Sequence, residues 1–382
     1  MTETFPLVTI VTPSYNQGEF IEATIRSVLD QNYPNLQYLV IDGGSKDQTL
    51  DILRKYEDRL SWISEKDKGQ SDAINKGFKM AEGEIVAWLN SDDTYEPGAI
   101  QSAVDYFLKH PETALVYGEG DIIDRDGSKV KRFEATQAFD LWTLIHKWDY
   151  IMQPTTFFKR EALRKVGYLN ESLHWCMDWD LWIKLASEYE VGYIDRVLAN
   201  SREYEETKTS TGGWKRFREI VSLMRKYGNQ KYPPGYFLYG GSTLYTEFGK
   251  NRLTKKVFFM LMSFLHRWAL HQLPIRYPDG WMGPSYRFYA PPNKSRMIIK
   301  IKSINKEVLP LLISISINKE LKERIIIKEE ESTMVSVDVK PKNTVQEVWV
   351  TTDNYYRPSK LDKGSNDSRR LSIIIEVFYE GE

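Results

Sequence analysis

Cysteine is almost absent: Cys176 stands alone among 382 residues, so no intrachain disulfide can form and a reducing compartment is the simplest inference. Neither sign of charge is in excess. The formal net charge of -1 leaves no chain-wide field to draw in nucleic acid, and a nucleic-acid partner is excluded on that ground. Long apolar runs are missing as well, since the longest, Val257 to Leu265, falls far short of the roughly 20 residues that cross a bilayer. Met1 to Pro6 shows no basic stretch leading into an apolar one, so no signal peptide is visible and a cytoplasmic protein is expected. Neither a fixed-period repeat nor a long low-complexity tract is present.

What remains is ordinary globular material with an aromatic surplus. Hydrophobic residues make up 41% of the chain and Phe, Trp and Tyr 13%, including eleven tryptophans. Flat ring faces stack on sugars and bases as well as filling cores. The length suffices for one large domain and a smaller one.

The first half alternates short apolar runs with helical patterns, the signature of an α/β fold with a mostly parallel sheet. Strands are expected at Leu7 to Thr12, Tyr38 to Ile41, Trp62-Ile63, Ile85 to Leu89, Leu115 to Tyr117 and Ile122-Ile123, with a helix at Glu19 to Leu29. Asp47 and Ser71 read as helix N-caps, and Pro97 suits a first helical turn. Beyond this the pattern is mixed: a strand at Thr155 to Phe158, a helix from about Asp178 to Ser187 and a strand at Val191 to Ile194. Residues 1–228 are taken as the first domain. Residues 229–292, rich in Gly, Pro and Tyr with a helix at Thr254 to His271, read as a linking layer. From 293 to 382 the β-branched runs Ile313 to Ile317, Arg324 to Ile327, Val335 to Val339, Val345 to Val350 and Ile373 to Phe378 predict a small β-sandwich.

In an open parallel sheet, ligands bind beyond the carboxyl ends of the strands. Four polar clusters fall there: Pro13-Ser14-Tyr15-Asn16, Asp42-Gly43-Gly44-Ser45, Asp67-Lys68-Gly69-Gln70-Ser71-Asp72 and Asn90-Ser91-Asp92-Asp93. Singly, each is explained by a turn, a cap or core packing. Together on one rim they point to one polar cleft.

Thr12-Pro13-Ser14-Tyr15-Asn16, Asp42-Gly43-Gly44-Ser45 and Leu89-Asn90-Ser91-Asp92-Asp93 resemble the family 2 glycosyltransferases of the GT-A fold, over residues 7 to 120 and more thinly to about 210. The resemblance implies that Tyr15 lies by the nucleotide base, Asp42 accepts from a ring N–H and Asp72 holds base or ribose. Thr12, Pro13, Lys68, Asn90 and Ser91 complete the implied nucleotide-sugar site. Asp92 would ligate a divalent cation, Mn²⁺ or Mg²⁺, bridging the donor diphosphate, with Asp93 as a second candidate ligand. The family's Asp-X-Asp reads Asn90-Ser91-Asp92 here, so an amide replaces one carboxylate.

His174 to Trp182 resembles the family's Glu-Asp motif at a helix opening, with Met177 in place of the Glu. The resemblance makes Asp178 the catalytic base that takes the acceptor hydroxyl's proton, ahead of Asp180 and His174; the competing reading of Asp178 is a helix N-cap. Trp175 and Trp179 are candidates for a sugar-stacking wall, with Trp182 as core. Arg202, Tyr204 and Lys208 resemble the family's Arg-X-His segment over the diphosphate, Tyr204 taking the His place; an exposed charged loop is the alternative.

The implied activity is inverting transfer of one sugar from a nucleotide-diphosphate donor to a glycan or lipid-linked oligosaccharide acceptor, in bacterial surface polysaccharide synthesis. Single addition is preferred because neither a Gln-X-X-Arg-Trp motif nor membrane helices follow Asp178. The helix at Lys255 to His271 leaves two readings: burial in the linking layer, which is favoured, or peripheral contact with the inner face of the cell membrane. Asn90 and Met177 also motivate a rival function, a carbohydrate-binding or scaffold protein on a degenerate GT-A fold. A sugar nucleotidyltransferase is disfavoured, because no Gly-rich, Lys-containing phosphate loop follows the first strand.

Overall fold

The computed structural model describes residues 5–205, 212–228, 230–248, 285–290, 295–302, 309–328, 332–339, 346–353 and 373–379. They divide into two compact units, one from residues 1–139 and 148–230, the other from 140–147 and 231–382.

The first unit is built on a 9-stranded sheet. Strands β1 (Val8–Ser14), β2 (Leu36–Asp42), β3 (Ser61–Ser64) and β4 (Ile85–Trp88) form its parallel half in the order β3-β2-β1-β4. Helices α1 (Ile21–Leu29), α2 (Thr49–Arg54) and α3 (Gln70–Met80) make the crossovers. All seven residues of β1 are buried, as expected for a central strand covered on both faces. Helix α1 buries Ile21, Thr24, Ile25, Val28 and Leu29, a stripe at helical spacing; full burial of each large aliphatic residue contributes about 1.5–3 kcal/mol.

Past β4 the sheet is mixed. Strand β5 (Thr94–Tyr95) and helix α4 (Ala99–Lys109) lead to β6 (Thr113–Ile123) and β7 (Lys129–Arg132), followed later by β8 (Phe157–Lys159) and β9 (Glu190–Arg202). Strand β8 lies antiparallel between β4 and β6, and β9 runs parallel to β6 and antiparallel to β5. The runs expected as two strands at Leu115 to Tyr117 and Ile122-Ile123 are one strand, whose register shifts at Gly118-Glu119-Gly120 let it bend without ending.

Three expected helix starts differ by one or two residues. Helix α2 follows Gln48, yet Asp47 still accepts from the Thr49 amide at 3.0 Å. Gly69 precedes α3, placing Ser71 in its first turn, and Gly98 precedes α4, placing Pro97 outside it. Helix α3 approaches β1 closely at Gly77, where an added Cβ would stand 2.3 Å from Val11 Cγ1. That contact brings the Gln70 end of α3 against the carboxyl rim of the sheet. Beneath the rim, Trp88, Phe158 and Trp182 stack at ring separations of 5.5–5.7 Å, so Trp182 is core. Helices α6 (Arg160–Val166), α7 (Met177–Ala186) and α8 (Gly213–Gly228) complete the unit.

The second unit contains helices α5 (Leu141–His146) and α9 (Pro234–Phe248) and two antiparallel sheets. Strands β10 (Ser285–Ala290), β15 (Gln346–Thr352), β12 (Leu311–Ile317) and β13 (Glu320–Ile327) form one; β14 (Ser332–Asp338), β11 (Arg296–Lys302) and β16 (Ile374–Tyr379) form the other. Burial alternates along β12, and inward residues of both sheets, among them Ile299, Ile313, Val337 and Val350, share one core. Ser285–Ala290, inside the stretch read as a linking layer, is a strand because its alternating residues pair with β15. The helix expected at Thr254 to His271 lies outside the described residues.

Candidate active site

A cleft of about 670 Å³ opens at the carboxyl end of the parallel half. Its walls include Pro13 at the end of β1 and Tyr15 just after it, Asp67, Gly69 and Gln70 at the start of α3, and Asn90 to Asp93 after β4. His174, Trp175, Met177 and Asp178 come from the opening of α7, and Arg202, Glu203 and Tyr204 from the end of β9. Nine expected site residues thus converge: Pro13, Tyr15, Asn90, Ser91, Asp92, Asp93, Trp175, Asp178 and Arg202.

Five others do not face this space. Thr12 is buried and shares a hydrogen bond with the Tyr38 hydroxyl at 3.1 Å. Asp42 is fully buried and spent on its own turn, accepting from the amides of Gly44 and Ser45 and the hydroxyls of Ser45 and Ser64. Gly44, at φ +86°, supplies the left-handed residue that this turn needs. Lys68 donates its amide to Asp72 at 3.0 Å, which with Lys76 holds the Asp72 carboxyl below its usual range. Trp179 is only 3% exposed: one residue beyond Asp178 is about 100° around the helix, which turns it into the core.

Asn90 explains its own departure from a carboxylate. Its Oδ1 accepts from Gln70 Nε2 at 2.9 Å, while its Nδ2 donates to Asp93 Oδ2 at 3.0 Å and to Gln153 Oε1 at 2.9 Å. Only an amide both accepts and donates twice in this way. Asp93, 3% exposed, also accepts from the Arg202 amide at 3.0 Å, so both its oxygens hold the loop together. Burial, and then the neighbouring Asp92 carboxylate, raise the Asp93 pKa.

Asp92 accepts from the Tyr204 hydroxyl at 2.9 Å, and burial raises its pKa. The Tyr204 ring packs on Phe20, and the Arg125 guanidinium lies over both rings while gripping Glu19. Arg202 is 7% exposed and donates to the carbonyl oxygens of Asp92, Asp124 and Arg125. Its guanidinium braces the Asp92 backbone. Lys208 lies outside the described residues.

On the opposite wall α7 begins at Met177 with Cys176 in the cap position, so Asp178 is a first-turn residue and not the helix cap. Its Oδ1 accepts from the Trp179 amide at 2.8 Å. Met177, where the family motif has Glu, takes the Ser71 hydroxyl on its sulfur at 2.7 Å. Two residues that sequence reasoning passed over are coupled to this wall. Burial and the nearby Asp178 hold the Asp149 carboxyl well above the usual range, and Glu219 of α8 accepts from the amides of His174, Trp175 and Cys176. Neither lies in a motif, and Glu219 is more than 40 residues away in sequence, so no local signal marks them.

Residues 9–167 match the model of glycosyl transferase family 2. A putative teichuronic acid biosynthesis glycosyltransferase of Bacillus subtilis, TuaG, is 34% identical over 234 residues, 58% of this chain and 92% of that protein. The chain belongs to glycosyltransferase family 2. An uncharacterized glycosyltransferase of Rickettsia typhi is 30% identical over 217 residues, covering 54% of this chain and 67% of that one. Among solved structures, Staphylococcus aureus TarS 1–349 in complex with UDP-GlcNAc aligns at a TM-score of 0.48 and 19% identity, over 65% of this chain and 74% of that one. In this family 2 chain the first unit is an α/β domain on a mixed sheet, and the second unit holds two antiparallel β-sheets.

The residues present fit a divalent cation only in part. Among the described residues no group of three or more His, Cys, Asp and Glu side chains could hold a metal by itself. Asp92 alone presents a cleft carboxylate at the implied position, and Asp93 is turned to the loop. One carboxylate completed by substrate phosphates suffices for a hard cation of the Mg²⁺ type.

Proposed function

We propose that this chain transfers a single sugar from a nucleotide-diphosphate sugar to a hydroxyl of a glycan or lipid-linked acceptor, with inversion. The observation that carries the reading is that Asp92 and Asp178, from separate parts of the chain, line one cleft whose volume suits a nucleotide sugar. Tyr15, 59% exposed, offers a ring face for the base on the donor side, and Trp175 offers one for a sugar on the acceptor side.

A divalent cation held by Asp92 and the donor phosphates would neutralise charge on the leaving diphosphate. Asp178 accepts the acceptor hydroxyl's proton as that oxygen attacks the anomeric carbon from the face opposite the diphosphate. The C–O bond to the acceptor forms as the C–O bond to the diphosphate breaks, and the nucleotide diphosphate leaves. Burial and the neighbouring Asp178 raise the Asp149 pKa, which disfavours a second negative charge beside the base position. The setting we infer is surface polysaccharide synthesis; TuaG is named for teichuronic acid biosynthesis. Among the described residues no helix is long and apolar enough to cross a membrane.

Thermal-shift titration with UDP-, GDP- and dTDP-sugars in the presence of Mn²⁺ or Mg²⁺ tests donor binding, because a ligand that binds only the native state raises the midpoint. One nucleotide class is expected to stabilise the protein, with slow nucleotide release on incubation. Stabilisation without release from any sugar, with or without hydroxyl acceptors, would favour a sugar-binding protein on the same fold.

A further inference from the structure

We infer that Glu219 is a positioning residue for the acceptor wall: from α8 it fixes the opening of α7, and with it the places of Trp175 and Asp178. The inference rests on the reading of Asp178 as base.

The first amides of a helix have no intrahelical partner and require one from outside. Cys176, at the cap position of α7, supplies no side-chain bond. Glu219 takes the cap amide instead, its Oε1 accepting from Cys176 at 2.7 Å across 43 residues of sequence, and it also accepts from the Trp175 amide just before the helix at 2.6 Å. The His174 amide donates to both oxygens, at 3.1 and 3.0 Å. A carboxylate at a helix N-terminus meets the positive end of the dipole, and its bonds are charge-assisted.

Helix α8 grips α7 a second time. Asp180, 1% exposed, accepts from Lys226 Nζ at 2.9 Å and from the Tyr227 hydroxyl at 2.7 Å. Asp178 therefore lies between two anchors, the Cys176 amide on one side and the Asp180 carboxylate on the other. Helix α7 can neither turn nor slide without breaking one of them. A reacting group displaced by 1 Å loses on the order of a hundredfold in rate, so an anchor two residues from the base acts on turnover as well as on stability.

The test compares Glu219→Ala, Glu219→Gln, Asp178→Asn and the Ala/Asn double variant. Nucleotide release is followed from whichever of UDP-glucose, UDP-N-acetylglucosamine and GDP-mannose the wild type turns over fastest with Mn²⁺. Glu219→Ala is expected to lower kcat about tenfold or more while donor KM stays within about twofold. Glu219→Gln, which keeps Oε1 as acceptor, should recover most of that loss. In the Asp178→Asn background Glu219→Ala should add almost nothing, because both changes act on one group. Amide exchange at residues 174–176 should quicken in Glu219→Ala without any ligand. If that variant does not fold, Glu219→Asp, which withdraws the carboxylate by one methylene, takes its place with the same expectation. A folded variant with wild-type kcat and a lowered midpoint would reduce Glu219 to a helix cap, and an undiminished effect in the Asp178→Asn background would show that it does not act through the base. Wild-type turnover in Asp178→Asn alone would instead overturn the base assignment, whatever Glu219 does.

Discussion

The Tyr204 hydroxyl donates to Asp92 Oδ2 at 2.9 Å, tying the end of β9 to the one cleft carboxylate placed to meet a donor diphosphate. Tyr204→Phe keeps the ring against Phe20 and Arg125 and removes only the hydroxyl. Leaving a buried acceptor unpaired costs about 1–3 kcal/mol, so the thermal midpoint should fall by several degrees. Mn²⁺ together with a nucleotide diphosphate should restore more of the midpoint in the variant than it adds to wild type, since the cation satisfies the same oxygen. Equal metal-dependent shifts in the two proteins would remove Asp92 from the metal site.

Metal affinity should depend on nucleotide. With Asp92 as the one carboxylate at the implied metal position, isothermal titration with Mn²⁺ alone is expected to give no saturable site in the micromolar range, and the same titration with the nucleotide diphosphate present should give one. Tight binding to the free protein would require further protein ligands.

Asn90→Asp restores the family's carboxylate pair and should nevertheless weaken the protein. The substitution deletes both donations, to Asp93 and Gln153, and sets a second negative charge against Asp93. A loss of about 2 kcal/mol or more is expected from the orphaned acceptors alone, read as a lowered midpoint in thermal unfolding. An unchanged or raised midpoint would show that the amide network does not hold the loop.

The parallel half of the sheet and its strand-end loops were legible in the sequence because they are local. Each strand is a short apolar run, and each polar cluster follows one directly. Side-chain direction was not legible. Asp42 closes β2 and Asp92 lies in the loop past β4 on the same rim, yet Asp42 curls into a Gly-Gly turn that consumes its carboxylate while Asp92 faces the cleft. Arg202 reads as a phosphate clamp, but the carbonyls that claim it come from residues 77 to 110 positions away. The brace from Glu219 to α7 is hidden for the same reason: its strength comes from backbone amides, which carry no residue identity.

The second unit should weaken in acid. Burial, then Arg287 and Lys147, depress the His146 pKa to about 3, with Tyr289 3.3 Å from its Nε2. A group that stays neutral when folded but takes a proton when unfolded loses native stability as pH drops below its ordinary value near 6.5. The loss should reach about 2 kcal/mol by pH 5 and grow until the folded pKa is approached. Calorimetry from pH 7 to pH 4 should show a falling midpoint for this unit. The slope should flatten in His146→Phe; an identical slope there would assign the acid sensitivity to other groups.

The most direct measurement of the central claim is transfer rate beside donor affinity for Asp178→Asn, with Asp180→Asn as control. Asn preserves the size of the side chain and removes its basicity, so turnover should fall by roughly 10² to 10⁴ while the donor dissociation constant stays within about twofold. Asp180 is buried against Lys226 and Tyr227, and Asn keeps one acceptor oxygen for them, so its variant should lose stability and far less turnover than Asp178→Asn. Near-normal turnover in Asp178→Asn, with the protein folded and donor bound, would contradict the account.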